Sequence, residues 1–168
     1  MSGRPAADTA AGSTVLLAVD VGLHMGLAEF DGRAQLLRCV SRHAPNRTVL
    51  RRLAADVVHS LPQLSCLVLE GGGPLAEIWA AVAARRGLQV LQVSATEWRR
   101  ELLLCREQRN GRAAKEHALV LAEALRRRHG ARRTSPLRDD AAEAALVGLW
   151  ACWRLGLTVD LPDLRQSP

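Results

Sequence analysis

The sequence predicts a single α/β domain that contains a mixed five-stranded sheet flanked by helices. Three β-rich apolar segments follow one another near the start of the chain, which favours an antiparallel meander. Two later apolar segments are each preceded by an amphipathic helical segment, and such strand–helix–strand crossovers connect parallel strands. The 168 residues suffice for one domain with a substantial core.

Continuous runs of apolar and β-branched residues identify the five predicted strands. They cover residues 14–21, 25–30, 34–40, 66–70 and 88–93. The first run, TVLLAVDV, is apolar apart from its terminal threonine and its aspartate, which is typical of a strand buried on both faces. Asp31-Gly32 is a turn signal between the second and third strands, and it supports the opening meander.

Apolar stripes at helical spacing, together with capping residues, define the predicted helices. They cover residues 46–60, 74–86, a short segment after residue 94, 113–129 and 139–155. Asn46 or Thr48 can cap the first helix, and Pro62 closes it. Ser94 and Glu97 have the spacing of a capping box, which predicts the short helix.

The positive charge of the chain is concentrated in one region. The formal net charge is +6, yet residues 85–138 alone contain 14 Lys or Arg against 5 Glu and no Asp. The rest of the chain is therefore slightly acidic. A basic region of this size indicates an acidic partner, and nucleic acid is the most common one. The alternative explanation is the arginine-rich composition of a GC-rich genome.

Cysteine spacing and hydropathy exclude several classes of protein. The four cysteines form no CxxC pair, so we expect no structural zinc site, and Cys39 and Cys66 should lie in the core. Residues 1–13 lack the apolar segment of a signal peptide, and no run is long enough to span a membrane. We expect a cytoplasmic protein with a disordered tail at 1–13, a folded domain at 14–157 and a C-terminal tail at 158–168.

Two predicted strands end in an acidic residue followed by glycines. Asp20 lies near the end of the most apolar run, where an ionised carboxylate is costly unless a partner compensates it. Glu70 ends the run CLVLE and precedes three glycines. Because parallel strands of one sheet end at the same edge, both carboxylates are expected to face one site. The structural alternative is a pair of exposed strand ends.

The last predicted helix opens with a third group of acids, Asp139, Asp140 and Glu143. Spacings of three and four residues place carboxylates on one helix face, where they repel one another unless a cation is bound. A favourable interaction with the helix dipole would explain Asp139 and Asp140 without a metal. It explains Glu143 less well, because Glu143 precedes the apolar stripe that should face the core.

Together the three segments supply three or four carboxylates to one region. Hard cations such as Mg²⁺ prefer oxygen ligands of this kind. Two such ions could activate water and stabilise the leaving oxygen during hydrolysis of a phosphodiester. The sequence therefore predicts a metal site formed by Asp20, Glu70, Asp140 and Glu143, with Asp139 as the alternative to Asp140.

At these residues the chain resembles the RuvC-type Holliday-junction resolvases, which have the RNase H-like fold. Asp20-Val21-Gly22 with Gly26 resembles the first motif of the family, and Leu69-Glu70 resembles the second. Residues 138–144, RDDAAEA, resemble the last motif, although the family usually has Asp where this chain has Glu143. Related organellar resolvases place a Glu four residues after the first acid, which would match Asp139. The resemblance spans about residues 14–153.

The resemblance implies an endodeoxyribonuclease that cleaves branched DNA during recombination or repair. It implies two Mg²⁺ ions for each active site, or Mn²⁺ in their place, and no small-molecule cofactor. It also implies a homodimer, which would present two active sites to a two-fold symmetric junction. The helix that carries Trp79 resembles the one that pairs the subunits in this family. The tryptophans themselves are expected in the core or at an interface, not as base-stacking platforms.

Basic residues are the expected contacts to DNA. Lys115 is the only lysine beside 22 arginines, and by resemblance it stabilises the charge that develops on the scissile phosphate. The alternative is that its position is a matter of chance. Arg99 or Arg100 resembles a second basic position of the family that contacts DNA. Further contacts to phosphates are expected from arginines in two basic loops, namely Arg109, Arg112, Arg132 and Arg133.

Other functions are compatible with the same residues. A nuclease of this fold that acts on flaps, hybrids or RNA would use the same acids. A nucleic-acid-binding protein on a degenerate RNase H-like fold would need none of them. A phosphotransferase of the actin-like superfamily also opens with an aspartate and glycines, but it would require a much longer second half.

Overall fold

The computed structural model describes residues 12–104, 107, 110–133 and 135–158. Within them the strands are β1 (Leu16–Asp20), β2 (His24–Phe30), β3 (Leu36–His43), β4 (Cys66–Glu70) and β5 (Gln89–Val93). The helices are α1 (Arg47–His59), α2 (Gly73–Arg85), α3 (Ala95–Leu102), α4 (Gly111–Arg128) and α5 (Asp139–Arg154). Nearly all of the two expected tails, as well as Arg109, lie outside the described residues.

The five strands form one mixed sheet with the order β3-β2-β1-β4-β5. The pairs β1–β2 and β2–β3 are antiparallel, which confirms the predicted meander. The pairs β1–β4 and β4–β5 are parallel, as the intervening helices require. β1 therefore lies at the centre of the sheet, and the end of this strand is the natural position for a site.

Helices cover both faces of the sheet. Alternate residues of β1 divide between the two resulting cores, because successive side chains of a strand point to opposite faces. Leu16 and Ala18 belong to the core beneath α3, α4 and α5. Leu17 and Val19 belong to the core beneath α1 and α2. All four side chains are fully buried, so the prediction of a strand buried on both faces is confirmed.

Side-chain caps determine where three helices begin. The Asn46 side chain caps α1, and Ser94 with Glu97 forms the predicted capping box of α3. α4 begins at Gly111 and not at residue 113, because the Asn110 side chain accepts a hydrogen bond from the Ala113 N–H at 2.8 Å.

Among the described residues, no helix has both the length and the apolar character needed to cross a bilayer.

β3 is longer than the sequence predicted. The predicted strand ended at Val40, whereas β3 continues to His43, with Ser41 paired to Gly26 and His43 paired to His24. The prediction failed here because β3 is an edge strand whose last residues carry polar side chains. The apolar pattern therefore stops before the backbone pairing does. The extension brings Ser41 and His43 to the same end of the sheet as Asp20.

The predicted core residues are buried. Cys39 and Cys66 lie in the core beneath α4 and α5, as expected. Trp79 and Trp98 are fully inaccessible, and Trp150 is 7% exposed, so these three tryptophans are core residues. Trp79 packs against the sheet from α2, and its ring is therefore not available as a direct contact between subunits.

Two glycines allow α5 to lie directly on the sheet. A Cβ atom at Gly26 of β2 would lie 1.8 Å from the carbonyl oxygen of Asp140 at the start of α5. A Cβ atom at Gly148 would lie 2.2 Å from the ring of Phe30. Neither position has room for any side chain. The close approach fixes the start of α5 against the start of β2, and therefore near Asp20, the partner of Gly26.

The substitution Gly26→Ala should destabilise the protein by about 2–3 kcal/mol, because the added methyl group forces α5 away from β2. Urea unfolding would measure the loss. The matched control is Gly111→Ala, because no heavy atom lies within 4 Å of a Cβ at that position. Equal stability of Gly26→Ala and the control would contradict the proposed close approach.

Candidate active site

The register of the sheet places Asp20 and Glu70 side by side. Asp20, the last residue of β1, is the direct partner of Glu70, the last residue of β4. Cross-strand partners point to the same face of a sheet. That face is the one covered by α5, since Ala18 and Val68, two residues earlier on the same strands, belong to the core beneath α5.

α5 contributes the third carboxylate. Glu143 lies one turn into the helix and is only 6% exposed. Carboxylate oxygens of Asp20, Glu70 and Glu143 all lie within 4.8 Å of one another, close enough to share a metal ion. Three of the sequence-predicted ligands, from three distant segments, therefore converge at one point.

The electrostatics of this cluster are unfavourable when no cation is bound. Burial, and then the negative charge of Glu70, raise the pKa of Asp20 to about 8. Burial, and then the charge of Glu143, raise the pKa of Glu70 to about 7. Asp140 acts in the same direction on the pKa of Asp20. Two of the three acids are thus held partly protonated near neutral pH.

One oxygen of Glu70 is unsatisfied. Oε2 is buried and has no hydrogen-bond partner among the described residues. The Trp98 side chain lowers the pKa of Glu70, yet its indole N–H makes no hydrogen bond of normal geometry. Buried acceptors without a partner are rare in folded proteins. Glu70 belongs to the cluster of three carboxylates, so an unsatisfied oxygen on this residue fits a ligand position for a hard cation.

Arg99 is the cation nearest to the cluster. Its guanidinium donates to the Glu143 carboxylate in an ion pair, and its side chain is 20% exposed. It also lies 5.2 Å from the centre of the Trp98 ring. Arg99 was expected to contact DNA. In this structure it is engaged by Glu143, at the edge of the acidic cluster.

Asp139 and Asp140 have different surroundings, although both line the cavity above the cluster. Asp140 is half-buried, and its carboxylate accepts hydrogen bonds from the Ser41 hydroxyl and from the Ala141 N–H. Asp139 is exposed. The contact with Ser41 fixes the Asp140 carboxylate against the sheet. Asp140 is not one of the three acids whose oxygens lie within 4.8 Å of one another, so the choice of Asp140 over Asp139 as a further ligand stays a prediction.

Lys115 is the predicted basic residue that lines this cavity. The cavity has a volume of about 570 Å³, and Lys115 faces it from the second turn of α4. The Lys115 charge lowers the pKa of both Asp20 and Glu70, which shows that it lies within electrostatic range of the cluster. Its expected place beside the acids is thus consistent with the structure.

The remaining predicted basic contacts lie away from the acidic cavity. Arg112 pairs with Glu116 on the surface of α4, and Arg133 pairs with Glu123 at 2.7 Å. Arg132 forms an isolated bridge beside β3, and Arg100 is exposed on α3. None of these four lines the cavity around Asp20. Their role in binding DNA stays a prediction.

Sequence reasoning missed three residues near the site. Ser41, His43 and Arg138 lie beside Asp140 in a second cavity next to the acids. The sequence identifies Arg138 only as part of the last motif, and it predicts that Ser41 and His43 follow the end of the third strand. The sequence signal for Ser41 and His43 is weak, because polar residues at the end of an edge strand resemble the residues of a loop.

The sheet order and the flanking helices define the RNase H-like fold, so the predicted fold class is confirmed. Among solved structures, the chain is similar to "T. thermophilus RuvC in complex with Holliday junction substrate". The identity is 18%, the TM-score is 0.56, and the match covers 86% of this chain and 97% of that chain. No protein-family model and no curated protein match the sequence. At this identity the likeness establishes the fold alone.

The raised pKa values predict how stability depends on pH. A carboxyl group with a folded-state pKa above its unfolded value binds more protons when folded, so stability falls as pH rises through that window. In the presence of a chelator, we therefore expect the wild type to lose stability between about pH 5 and pH 8. Asp20→Asn should be more stable than the wild type at pH 8, by about 2–3 kcal/mol.

Urea unfolding at pH 5 and at pH 8 would measure this difference. Asp56→Asn is the matched control, because Asp56 is an exposed carboxylate on α1. A wild type whose stability does not change over this range, or an Asp20→Asn variant that is less stable at pH 8, would contradict the electrostatic description of the cluster.

Proposed function

We propose that the protein is a metal-dependent endodeoxyribonuclease that cleaves branched DNA, with a Holliday junction as the preferred substrate. The observation that carries the proposal is the convergence of Asp20, Glu70 and Glu143, three carboxylates from distant segments that lie within 4.8 Å of one another. Support for the substrate comes from the similarity to RuvC, which was solved with a Holliday junction. DNA recombination or repair is the corresponding biological role.

The residues of the cluster fit Mg²⁺ or Mn²⁺. The donors are all carboxylate oxygens, which hard divalent cations prefer. The unsatisfied oxygen of Glu70 provides a ligand atom that has no other partner among the described residues. Asp20, Glu70 and Glu143 would hold the metal, with Asp140 as a further ligand, and this number of acids suits two ions. When bound, the ions polarise the phosphodiester and lower the pKa of attacking water.

The residues of the chain itself position and neutralise the substrate. The acids collect at the end of β1, where Gly26, the cross-strand partner of Asp20, lets the start of α5 pack against the sheet. Lys115 faces the same cavity and can stabilise the negative charge that develops on the scissile phosphate. Arg99 holds Glu143 in place through an ion pair on the side of α3. Phosphate contacts farther along the DNA would come from the other arginines of the basic region.

The proposed assembly is a homodimer. A four-way junction is close to two-fold symmetric, and two symmetric cuts require two active sites related by a two-fold axis. α1 and α2 pack together on the face of the sheet away from α5, so a pairing of subunits through this face would leave both acidic cavities open. No small-molecule cofactor is needed for this chemistry.

Incubation with Mg²⁺ or Mn²⁺ and a labelled four-way junction should yield paired symmetric nicks. Asp20→Asn should lower the cleavage rate by at least about 1,000-fold, because it removes a charged ligand, while junction affinity stays within about threefold. The Asp56→Asn variant is the control for both measurements. Gel assays of cleavage in Mg²⁺ and of binding in EDTA would give these values.

Other substrates separate this proposal from its alternatives. A duplex, a flap and an RNA–DNA hybrid would be tested beside the junction. Cleavage of one of these in preference to the junction would keep the nuclease chemistry and change the substrate. Tight, salt-dependent binding without cleavage of any substrate would instead indicate a nucleic-acid-binding protein that has lost activity.

A pair of single substitutions tests which aspartate is the further ligand. Asp140→Asn should reduce cleavage by about 100-fold or more, and it should raise the Mg²⁺ concentration needed for half-maximal rate. Asp139→Asn should change both values by less than about fivefold, since Asp139 is exposed and serves the helix dipole. The reverse order of effects would assign the ligand to Asp139, as the similarity to organellar resolvases suggests.

A further inference from the structure

A second cavity adjoins the acidic one at the outer edge of the sheet. It has a volume of about 400 Å³ and runs along β3, the edge strand. His24, Arg138 and Asp140 line both cavities, so the two spaces meet at the start of α5. The second cavity, called the edge groove below, also contains Arg42 and His43. A nucleic-acid strand that lies across Asp20 would enter the edge groove.

Two stacked imidazole rings stand at the junction of the two cavities. His24 and His43 are cross-strand partners on β2 and β3, and their ring centres lie 4.1 Å apart with planes inclined by 18°. Gly26 and Ser41, two residues farther along each strand, are partners as well, and Gly26 is also the partner of Asp20. The imidazole pair therefore lies on the carboxylate face, one step beyond the row that holds Asp20.

These rings are the exposed aromatic surface next to the acids. Of the larger aromatic residues, Phe30, Trp79, Trp98 and Trp150 are buried and Trp153 is half-buried. Both His24 and His43 are exposed, so the outer face of the pair is accessible to a ligand. Flat rings of this kind provide a platform for an unpaired nucleobase.

The groove also carries uncompensated positive charge. The Arg42 and Arg138 side chains are exposed, and within the described residues neither guanidinium group forms a hydrogen bond or an ion pair. Arg38, at the other end of the groove, is already paired with Glu29. Two available guanidinium groups beside a ring platform match the alternation of phosphate and base along a nucleic-acid strand.

We propose that the edge groove binds the nucleotides adjoining the scissile phosphate as an unpaired strand. The outer imidazole of the His24–His43 pair stacks on one base, and Arg42 and Arg138 neutralise the flanking phosphates. This inference rests on the proposed nuclease function and specifies its substrate: DNA whose strand is unpaired next to the cut, as it is near a branch point. A fully paired duplex cannot place a base on the rings.

The test compares His43→Ala with His43→Phe, each in the Asp20→Asn background so that binding is measured without cleavage. His43→Ala should weaken binding to a labelled four-way junction by about tenfold, because one stacked base is lost. Affinity for a paired duplex of the same length should change by less than twofold. His43→Phe retains a flat ring and should bind the junction within about threefold of the Asp20→Asn parent. Circular dichroism would verify that each variant is folded.

Arg42→Ala tests the contacts to phosphates. It should weaken binding to the junction and to the duplex alike by about threefold to tenfold, and it should lower the slope of log affinity against log salt by about one. Arg33→Ala is the matched control, since Arg33 is an exposed arginine between β2 and β3, outside the groove.

The outcomes separate this inference from the proposed function. If the wild type cleaves the junction and His43→Ala binds it normally, the proposed role of the edge groove is wrong. The nuclease proposal then remains in place. A wild type that cleaves nothing, with junction binding still lost in His43→Ala, overturns the nuclease proposal and supports the groove as a nucleic-acid site. If His43→Ala weakens binding to the junction and to the duplex equally, the proposed stacking of a base on the imidazole pair is wrong.

Discussion

The close contact between α5 and the sheet is the constraint on which the site depends. Gly26 and Gly148 give the helix room to lie on β1 and β2, and a side chain at either position would collide with its neighbours. The contact fixes the start of α5 at the start of β2, where the Asp140 carboxylate accepts a hydrogen bond from the Ser41 hydroxyl of β3. One turn later, the same helix buries Glu143 against the sheet. The geometry of the acids is thus a result of backbone packing, not of flexible side chains.

Burial of these acids opposes folding, and the surrounding residues offset only part of the cost. Asp20 and Glu70 occupy adjacent strand ends. Burial raises the pKa of both carboxyl groups, and the charge of Glu70 raises the pKa of Asp20 further. Arg99 supplies one positive charge to Glu143 from α3, and Lys115 acts from a distance across an open cavity. When all three acids are ionised, they carry more negative charge than these two cations can balance. Such an arrangement is typical of functional sites, where stability is lower than the fold would allow.

The sequence was sufficient to predict the centre of the sheet and the acids that end its strands. β4 was predicted with its exact bounds, because its apolar run is bordered by turn residues on both sides. Asp20 and Glu70 could be expected to meet, since parallel strands end at one edge. The end of β3 and the edge groove could not be predicted. His24 and His43 are 19 positions apart, and only the register of an antiparallel pair brings their rings together.

The buried position of Glu143 indicates that the acidic cluster has a functional role and not only a structural one. Acids in the first turn of a helix are favoured by its dipole, and this effect accounts for the exposed Asp139 without any ligand. The dipole does not explain a glutamate in the second turn that is 6% exposed and lies beside the buried Glu70 and the half-buried Asp20. Arg99 alone does not explain it either, because a single ion pair leaves Asp20 and Glu70 uncompensated. A site that binds divalent cations accounts for all three acids, and for the unpaired oxygen of Glu70.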